Sequence, residues 1–205
     1  MELAWRAVAA ISRVAICIGG ALLFAAAAIV SAEVFLRKGL GTLFGSTFMF
    51  SGSDEIAAYL FAVGTSLSMA YVLVTRGHVR IDALYGRFGQ RTRALLDLLA
   101  LIVLAIFVAA LIERAWDVAS TSYVEQIRSN TPLRIPLAWA QLPWFAGIAL
   151  FGVALLLAIL RTLTAIARGD YTAAASISSA ITQNEEIESE LEGLGLARDG
   201  SERRT

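Results

Sequence analysis

The segment whose residue types could best support catalysis is the loop Thr75–Asp82, in which His78 and Asp82 stand four residues apart. On a helix this spacing places an imidazole and a carboxylate on one face, as general acid–base chemistry requires. Catalysis would also need a nucleophile or a metal partner nearby, and the segment offers neither. Since His78 is the only histidine, no centre that needs two histidine ligands can form within the chain. We therefore expect no enzyme activity, no metal site and no cofactor.

Other motifs that would indicate chemistry are missing from the sequence. It has no GxxxxGK[ST] phosphate loop, so we expect no ATP binding, and it has no HExxH, CxxC or GxSxG. The single cysteine, Cys17, cannot form an internal disulfide. Lysines and arginines equal aspartates and glutamates at 17 each, so no net charge favours a nucleic-acid partner.

Charged residues also stand at the ends of apolar segments. Glu33 and Arg37 are spaced i, i+4 in the order that favours a helical pair. Asp54 and Glu55 follow Ser53, a natural N-cap, and acids in a first helical turn complement the helix dipole. We interpret these charged residues as helix-end stabilisers. A contact with a partner subunit is the alternative for Glu33 or Arg37.

The elements that must position these residues are membrane-spanning helices. Apolar residues make up 58% of the 205-residue chain, 17% are charged, and the mean hydropathy is +0.69. About 20 apolar residues are needed to cross the hydrocarbon core. Backbone groups in hydrocarbon must bond internally, so each such segment is predicted to be a helix. The fold class is an all-α membrane protein with four transmembrane helices, at residues 14–35, 56–74, 94–112 and 135–160.

The distribution of basic residues predicts the orientation of these spans. One side of the membrane receives nine of them: Arg6, Arg13, Arg76, Arg80, Arg87, Arg91, Arg93, Arg161 and Arg168. The other side receives five: Arg37, Lys38, Arg114, Arg128 and Arg134. Both termini are therefore predicted to be cytoplasmic. The first apolar run is too long for a signal peptide, so we expect it to be retained as an anchor.

The third span belongs to a longer stretch, residues 94–130, that lacks glycine and proline. A helix over this stretch would reach about 55 Å, so it either extends beyond the membrane on the periplasmic side or bends near Trp116. Pro132 and Pro136 are predicted to end it, because the residue before a proline avoids the helical region. Residues 170–205 contain five glutamates between 185 and 192. We expect them to form a flexible cytosolic tail after a membrane domain of residues 1–169.

The middle of each span contains no charged residue, although such residues mark ion and proton paths. Asp97 lies near the start of its span, from where its carboxylate could reach the interface. Small residues allow helices to approach closely, within this chain or with another protein. The second span has two series of them at four-residue spacing: Ala62, Ser66 and Ala70 in one, and Gly64 and Ser68 in the other. These features favour a scaffold over a solute path.

In the order of its motifs, the chain resembles the small membrane subunit (DctQ-like, or Q, subunit) of tripartite ATP-independent periplasmic (TRAP) transporters. The resemblance covers residues 14–160. The motifs that carry it are Phe35-Leu36-Arg37, Asp54-Glu55-Ile56 with Tyr59-Leu60, Gly77-His78-Val79-Arg80-Ile81-Asp82, Thr131-Pro132-Leu133-Arg134-Ile135-Pro136, Trp139 and Leu142-Pro143. The first loop is longer than the short connection common in the family, and the acidic tail is an extension.

The resemblance implies a bacterial inner-membrane protein that pairs with a large membrane subunit, which carries the substrate and ion sites. It also implies a periplasmic substrate-binding protein that delivers a carboxylate-containing solute, with uptake driven by an ion gradient. The small subunit would then stabilise and enlarge the scaffold of the large one. For the inner loop, we expect Arg76, His78, Arg80 and Asp82 to hold the loop against lipid headgroups and the large subunit.

Two other classes stay open on the residues alone. One is a membrane anchor of a respiratory enzyme that binds haem or quinone, although a lone histidine in a loop argues against haem ligation. The other is an independent four-helix carrier.

Overall fold

A computed structural model describes residues 1–40, 52–77 and 89–171, together with 174 and 177. This part of the chain contains four helices long and apolar enough to cross a membrane. A π-helical turn, Leu36–Leu40, directly follows the first of them. The prediction of an all-α protein with four spans is confirmed. The helices are α1 (Glu2–Phe35), α2 (Ser53–Val74), α3 (Gln90–Val124) and α4 (Ala138–Ala167).

Helix α3 is continuous through Trp116 and has 35 residues. Its length is therefore roughly 50 Å, well above the roughly 30 Å of the hydrocarbon core. The helix is therefore not interrupted at Trp116 and is longer than a membrane span requires. The Trp116 ring packs against Phe145 of α4, with ring centroids 5.2 Å apart, and the neighbouring Ala115 and Ala119 are buried. The second half of α3 stays helical because it has a helix to pack against.

The end of α3 corrects the expectation about the prolines. The helix ends at Val124, well before Pro132. Gln126 adopts the left-handed conformation, with φ of 52°, and the Ile127 N–H donates to the Ser122 carbonyl at 3.1 Å. This is a Schellman-type cap, in which a left-handed residue turns the chain and the next N–H satisfies a helix carbonyl. The prolines lie in the connection that follows.

Helices α2 and α4 are the two inner helices of the bundle. Helix α2 packs against α1 on one side and α4 on the other, and α4 in turn packs against α3 and makes a smaller contact with α1. The helices therefore lie in the spatial order α1, α2, α4, α3. The buried core includes Ala70 and Leu73 of α2, Val108 of α3, and Phe151 and Leu155 of α4.

Glycines bring the backbones of α1 and α2 into direct contact. A Cβ atom added to Gly19 would lie 2.6 Å from the Gly64 carbonyl oxygen, and one added to Gly64 would lie 2.8 Å from the Gly19 carbonyl oxygen. On its other side α2 meets α4, where a Cβ atom at Gly147 would lie 2.6 Å from the Ser66 carbonyl carbon. These distances leave no room for a side chain. The small residues Gly64 and Ser66 thus have their partners within this chain.

Arg161 of α4 holds the start of α1. Its guanidinium lies 3.1 Å from the Glu2 carboxylate and 4.6 Å from the centre of the Trp5 ring. The second distance allows a cation–π interaction, which contributes most where the cation is partly shielded from water. We refer to this end of the bundle, which contains the N-terminus, as the N-terminal end.

Asp97 is buried, which corrects the expectation that its carboxylate reaches the interface. Its exposed fraction is only 2%, and Ala94 and Leu101 are buried as well. The spacing of these three residues places them on one face of α3. Ala94 packs in a cluster with Ala165 of α4. Asp97 therefore belongs to the face of α3 that meets α4.

We predict that Gly64→Ala and Gly147→Ala each lower the free energy of unfolding by about 1–3 kcal/mol. The new methyl group would meet backbone atoms, which cannot move aside as a flexible side chain does. The measurement is denaturant unfolding of the purified chain in detergent micelles. Gly20→Ala is the matched control, because a Cβ atom there has no atom within 4 Å. Equal stability of all three variants would contradict the observed packing.

Candidate functional site at the hairpin end

The connection between α3 and α4 is a short hairpin, residues 127–137. Its two arms are joined by backbone hydrogen bonds from the Ser129 N–H to the Ile135 carbonyl and from the Leu137 N–H to the Ile127 carbonyl, each 3.0 Å long. We name it the α3–α4 hairpin and refer to the end of the bundle where it lies as the hairpin end. Because the arms are bonded to each other, the hairpin has a defined shape.

Both predicted prolines lie in this hairpin. Pro132 is the second residue of a tight turn, which the Arg134 N–H closes by donating to the Thr131 carbonyl at 3.2 Å. The fixed φ of proline suits that position. Pro136 lies opposite Arg128 in an isolated antiparallel bridge. The prolines shape the hairpin and are not what ends α3.

Glu55 is the anchor of the hairpin. It lies in the first turn of α2 and is only 8% exposed. The Tyr59 hydroxyl donates to its Oε1 at 2.7 Å, and the Thr131 hydroxyl of the hairpin donates to its Oε2. A buried carboxylate is costly unless it is hydrogen-bonded, and here both oxygens accept from hydroxyl groups. Glu55 therefore joins α2 to the hairpin.

Ser129 completes the arrangement on the hairpin side. Its hydroxyl lies 2.6 Å from that of Thr131 and accepts from the Thr131 N–H at 3.1 Å. Either hydroxyl can be the donor in this pair. Ser129 and Thr131 therefore lie together beside the Glu55 carboxylate, to which Thr131 donates.

A second carboxylate joins α1 to α2. The Ser53 hydroxyl donates to Glu33, which lies near the end of α1. This corrects the prediction of Ser53 as the N-cap of α2, because Gly52 is the cap residue and no side-chain cap bond forms. A Cβ atom at Gly52 would collide with Cδ1 of Leu133 in the hairpin. The start of α2 is thus in contact with both α1 and the hairpin. We name this set the hairpin-end network: Glu33, Ser53, Glu55, Tyr59, Ser129 and Thr131.

The two remaining charged candidates at this end are exposed. Arg37 lies in the π-helical turn that follows α1, and Asp54 lies in the first turn of α2. Within the described residues no ion pair joins Glu33 to Arg37. A π-helix bonds i to i+5, so the i, i+4 spacing does not stack the two side chains as it would in an α-helix. The Glu33 carboxylate bonds to Ser53 instead.

The candidates of the inner loop lie at and beyond the end of α2. Arg76 has a left-handed φ of 59°, and its N–H donates to the Leu73 carbonyl at 3.1 Å. The Gly77 N–H donates to the Val72 carbonyl at 2.9 Å, which completes a Schellman-type cap. His78, Arg80 and Asp82 lie outside the described residues.

The hairpin-end network holds α1, α2 and the hairpin together by hydrogen bonds. It combines the carboxylates of Glu33 and Glu55 with hydroxyl donors from α2 and the hairpin. Among the described residues, no cluster of three or more His, Cys, Asp or Glu side chains could hold a metal ion. Sequence reasoning missed Ser129 and the role of Thr131. Of these contacts, only the one between Glu55 and Tyr59 could have been predicted from the sequence, because the two residues stand four apart on a helix.

A family model described as "Tripartite ATP-independent periplasmic transporters, DctQ component" matches residues 26–165. The match exceeds half of the 205-residue chain and contains every residue of the hairpin-end network. The comparison with curated proteins returned no match, and neither did the comparison with solved structures.

We predict that Glu55→Ala lowers the free energy of unfolding by about 2 kcal/mol, because it leaves the hydroxyls of Tyr59 and Thr131 without their acceptor. The backbone amides of Ser129 and Leu137 should then exchange with solvent faster. Both effects are measurable in detergent, by denaturant unfolding and hydrogen exchange. Asp54→Ala is the control, because this exposed neighbour should contribute less than about 1 kcal/mol through the helix dipole. Unchanged hydrogen exchange in Glu55→Ala would show that Glu55 does not hold the α3–α4 hairpin in place.

Proposed function

The chain belongs to the DctQ family, the small membrane subunits of tripartite ATP-independent periplasmic transporters, and we propose that it stabilises and enlarges the scaffold of the large membrane subunit. It is a multi-pass protein of the inner membrane. The family implies a complex with the large membrane subunit and a periplasmic binding protein.

The observation that carries the scaffold proposal is the closed middle of the bundle. Gly64 and Ser66 of α2 touch Gly19 of α1 and Gly147 of α4 through backbone atoms, which leaves no passage for a solute at these crossings. The central parts of the spans also contain no charged side chain, whereas solute and ion paths in membranes use such groups. The polar contacts described above join the helices at their ends instead.

The division of labour follows from this arrangement. We propose that the large subunit supplies the solute path and the coupling to an ion gradient. The binding protein would deliver the solute, and the family resemblance favours a carboxylate-containing one. This chain would provide a rigid surface against which the large subunit is held.

We also propose that the hairpin end faces the periplasm and the N-terminal end faces the cytosol. Basic residues are more numerous at the N-terminal end and in the loop between α2 and α3, which contains Arg76, Arg80 and Asp82. The acidic residues 170–205 would then form a cytosolic tail that follows a membrane domain of residues 1–169.

The topology predicts which residues an impermeant reagent can reach. In a Cys17→Ala background, Asn130→Cys should react with a membrane-impermeant maleimide in intact spheroplasts, whereas Gln90→Cys should react only after lysis. Both positions are neutral and exposed, so the variants are matched in charge. The opposite labelling pattern would invert the proposed orientation.

The scaffold role predicts that the chain binds the large subunit but transports no solute by itself. The purified chain should co-purify with the cognate large subunit and raise its unfolding temperature in detergent, because membrane helices gain van der Waals packing when they associate. Proteoliposomes that contain this chain alone should accumulate none of a panel of radiolabelled mono- and dicarboxylates. Liposomes with only the large subunit and the binding protein provide the control. Uptake by this chain alone would refute the proposal.

A further inference from the structure

The α3–α4 hairpin lies at the level of the membrane surface. It contacts the first turn of α2, whose apolar segment begins at Ile56, and it leads directly into the uncharged run 135–160. Two exposed aromatic residues flank it, Tyr123 near the end of α3 and Trp139 near the start of α4. Tyrosine and tryptophan side chains concentrate where hydrocarbon meets the lipid headgroups. The hairpin is therefore placed next to lipid phosphates.

Two arginines of the hairpin have charges that are not neutralised within the described part of the chain. Arg128 and Arg134 are both exposed, and residues 127–137 contain no aspartate or glutamate. The neighbouring acid, Glu125, is the C-cap residue of α3, and it forms no ion pair with either arginine. The Glu55 carboxylate accepts from hydroxyl groups instead. Both guanidinium groups can therefore bind an external anion.

The fold of the hairpin brings the two arginines onto one small surface. The Arg128 guanidinium donates to the Arg134 carbonyl at 3.5 Å, which leaves four of its five N–H groups for other acceptors. Thr131, between the arginines in the sequence, is bonded to the buried carboxylate of α2, and Leu133 packs against Gly52. A surface that is already ordered loses little conformational entropy when a ligand binds.

The backbone at Arg134 is also unusual for an arginine. Its φ of 48° lies in the left-handed region, where glycine is comfortable and an L side chain is strained. Residues held in such conformations cluster at sites that bind ligands. A binding role for the guanidinium would account for an arginine at a position whose backbone favours glycine.

We propose that the α3–α4 hairpin binds the headgroup of an anionic phospholipid, with Arg128 and Arg134 as the phosphate-binding residues. The position at the membrane surface selects this ligand, because lipid phosphates reach the hairpin without any further subunit. Charge complementarity agrees, since a guanidinium binds phosphate oxygens through charge-assisted hydrogen bonds. The site goes beyond the scaffold role, and it does not depend on which side of the membrane the hairpin faces.

The test places a reporter between the two arginines. In a Cys17→Ala background, the exposed Asn130 is replaced by cysteine and labelled with an environment-sensitive fluorophore. The full chain in a neutral detergent is titrated with phosphatidylglycerol, and the fluorescence change gives an apparent dissociation constant. Diacylglycerol, which lacks the phosphate, and inorganic phosphate, which lacks the acyl chains, are the comparison ligands. We expect saturable binding of phosphatidylglycerol and of neither comparison ligand.

Removal of the arginine charges should weaken this binding. We expect Arg134→Gly to raise the dissociation constant about fivefold and Arg128→Gln/Arg134→Gly to raise it about 25-fold, from the usual contribution of a basic residue at an anionic membrane surface. Arg134→Lys should keep most of the affinity. Arg114→Gln is the matched control, because this exposed arginine lies outside the hairpin and pairs with Asp117 at 3.6 Å.

Stability is measured on the same variants. Since Arg134→Gly relieves the backbone, its unfolding temperature should equal or exceed that of the unaltered chain, so weaker lipid binding would not reflect unfolding. Three results would overturn the proposal. The double variant could bind phosphatidylglycerol as the unaltered chain does, or inorganic phosphate could give the same response, which would indicate a site for a free anion. Loss of the cognate large subunit from the double variant at constant lipid content would assign the arginines to a subunit contact.

Discussion

The architecture depends on the contact between the backbones of α1, α2 and α4. In hydrocarbon the hydrophobic effect does not drive helices together, so close packing must do so. Gly19 and Gly64 allow one pair of backbones to touch, and Gly147 lets a second pair meet at Ser66. Helix α2 therefore lies between α1 and α4. Helix α3 joins the bundle by packing against α4.

Polar contacts at the two ends complement this closed middle. The hairpin-end network joins α1, α2 and the α3–α4 connection through hydrogen bonds to Glu33 and Glu55. At the N-terminal end, Arg161 joins α4 to α1 through Glu2 and Trp5. The contacts at the ends therefore hold the helices at fixed heights relative to one another, while the backbone contacts in the middle set the distances between the helix axes. Together the two kinds of constraint hold the four helices in one arrangement.

Local patterns in the sequence predicted the helices but not the contacts between them. Hydropathy gives four spans because a membrane helix satisfies its own backbone, whereas the absence of glycine and proline was compatible with either a bent or a straight α3. The role of Ser53 was misjudged because capping and a bond to another helix compete for the same hydroxyl. Thr131 and Glu55 are 76 residues apart, so no spacing rule could have paired them. Asp97 was misjudged because its position near a span end does not reveal which face it occupies.

The glycine contacts place the helices so that their apolar segments do not lie at the same height in the bundle. Helix α1 meets α2 at Gly19, near the start of its uncharged segment, whereas Ile112, at the end of the uncharged segment of α3, meets Gly152 of α4. The centres of the uncharged segments of α1 and α3, the two outer helices, are therefore displaced in opposite directions along the bundle, and lie on the order of 20 Å apart in height. Hydrophobic mismatch of this kind is relieved by tilt or by local changes in bilayer thickness. In a flat bilayer, this offset favours an inclined bundle over an upright one.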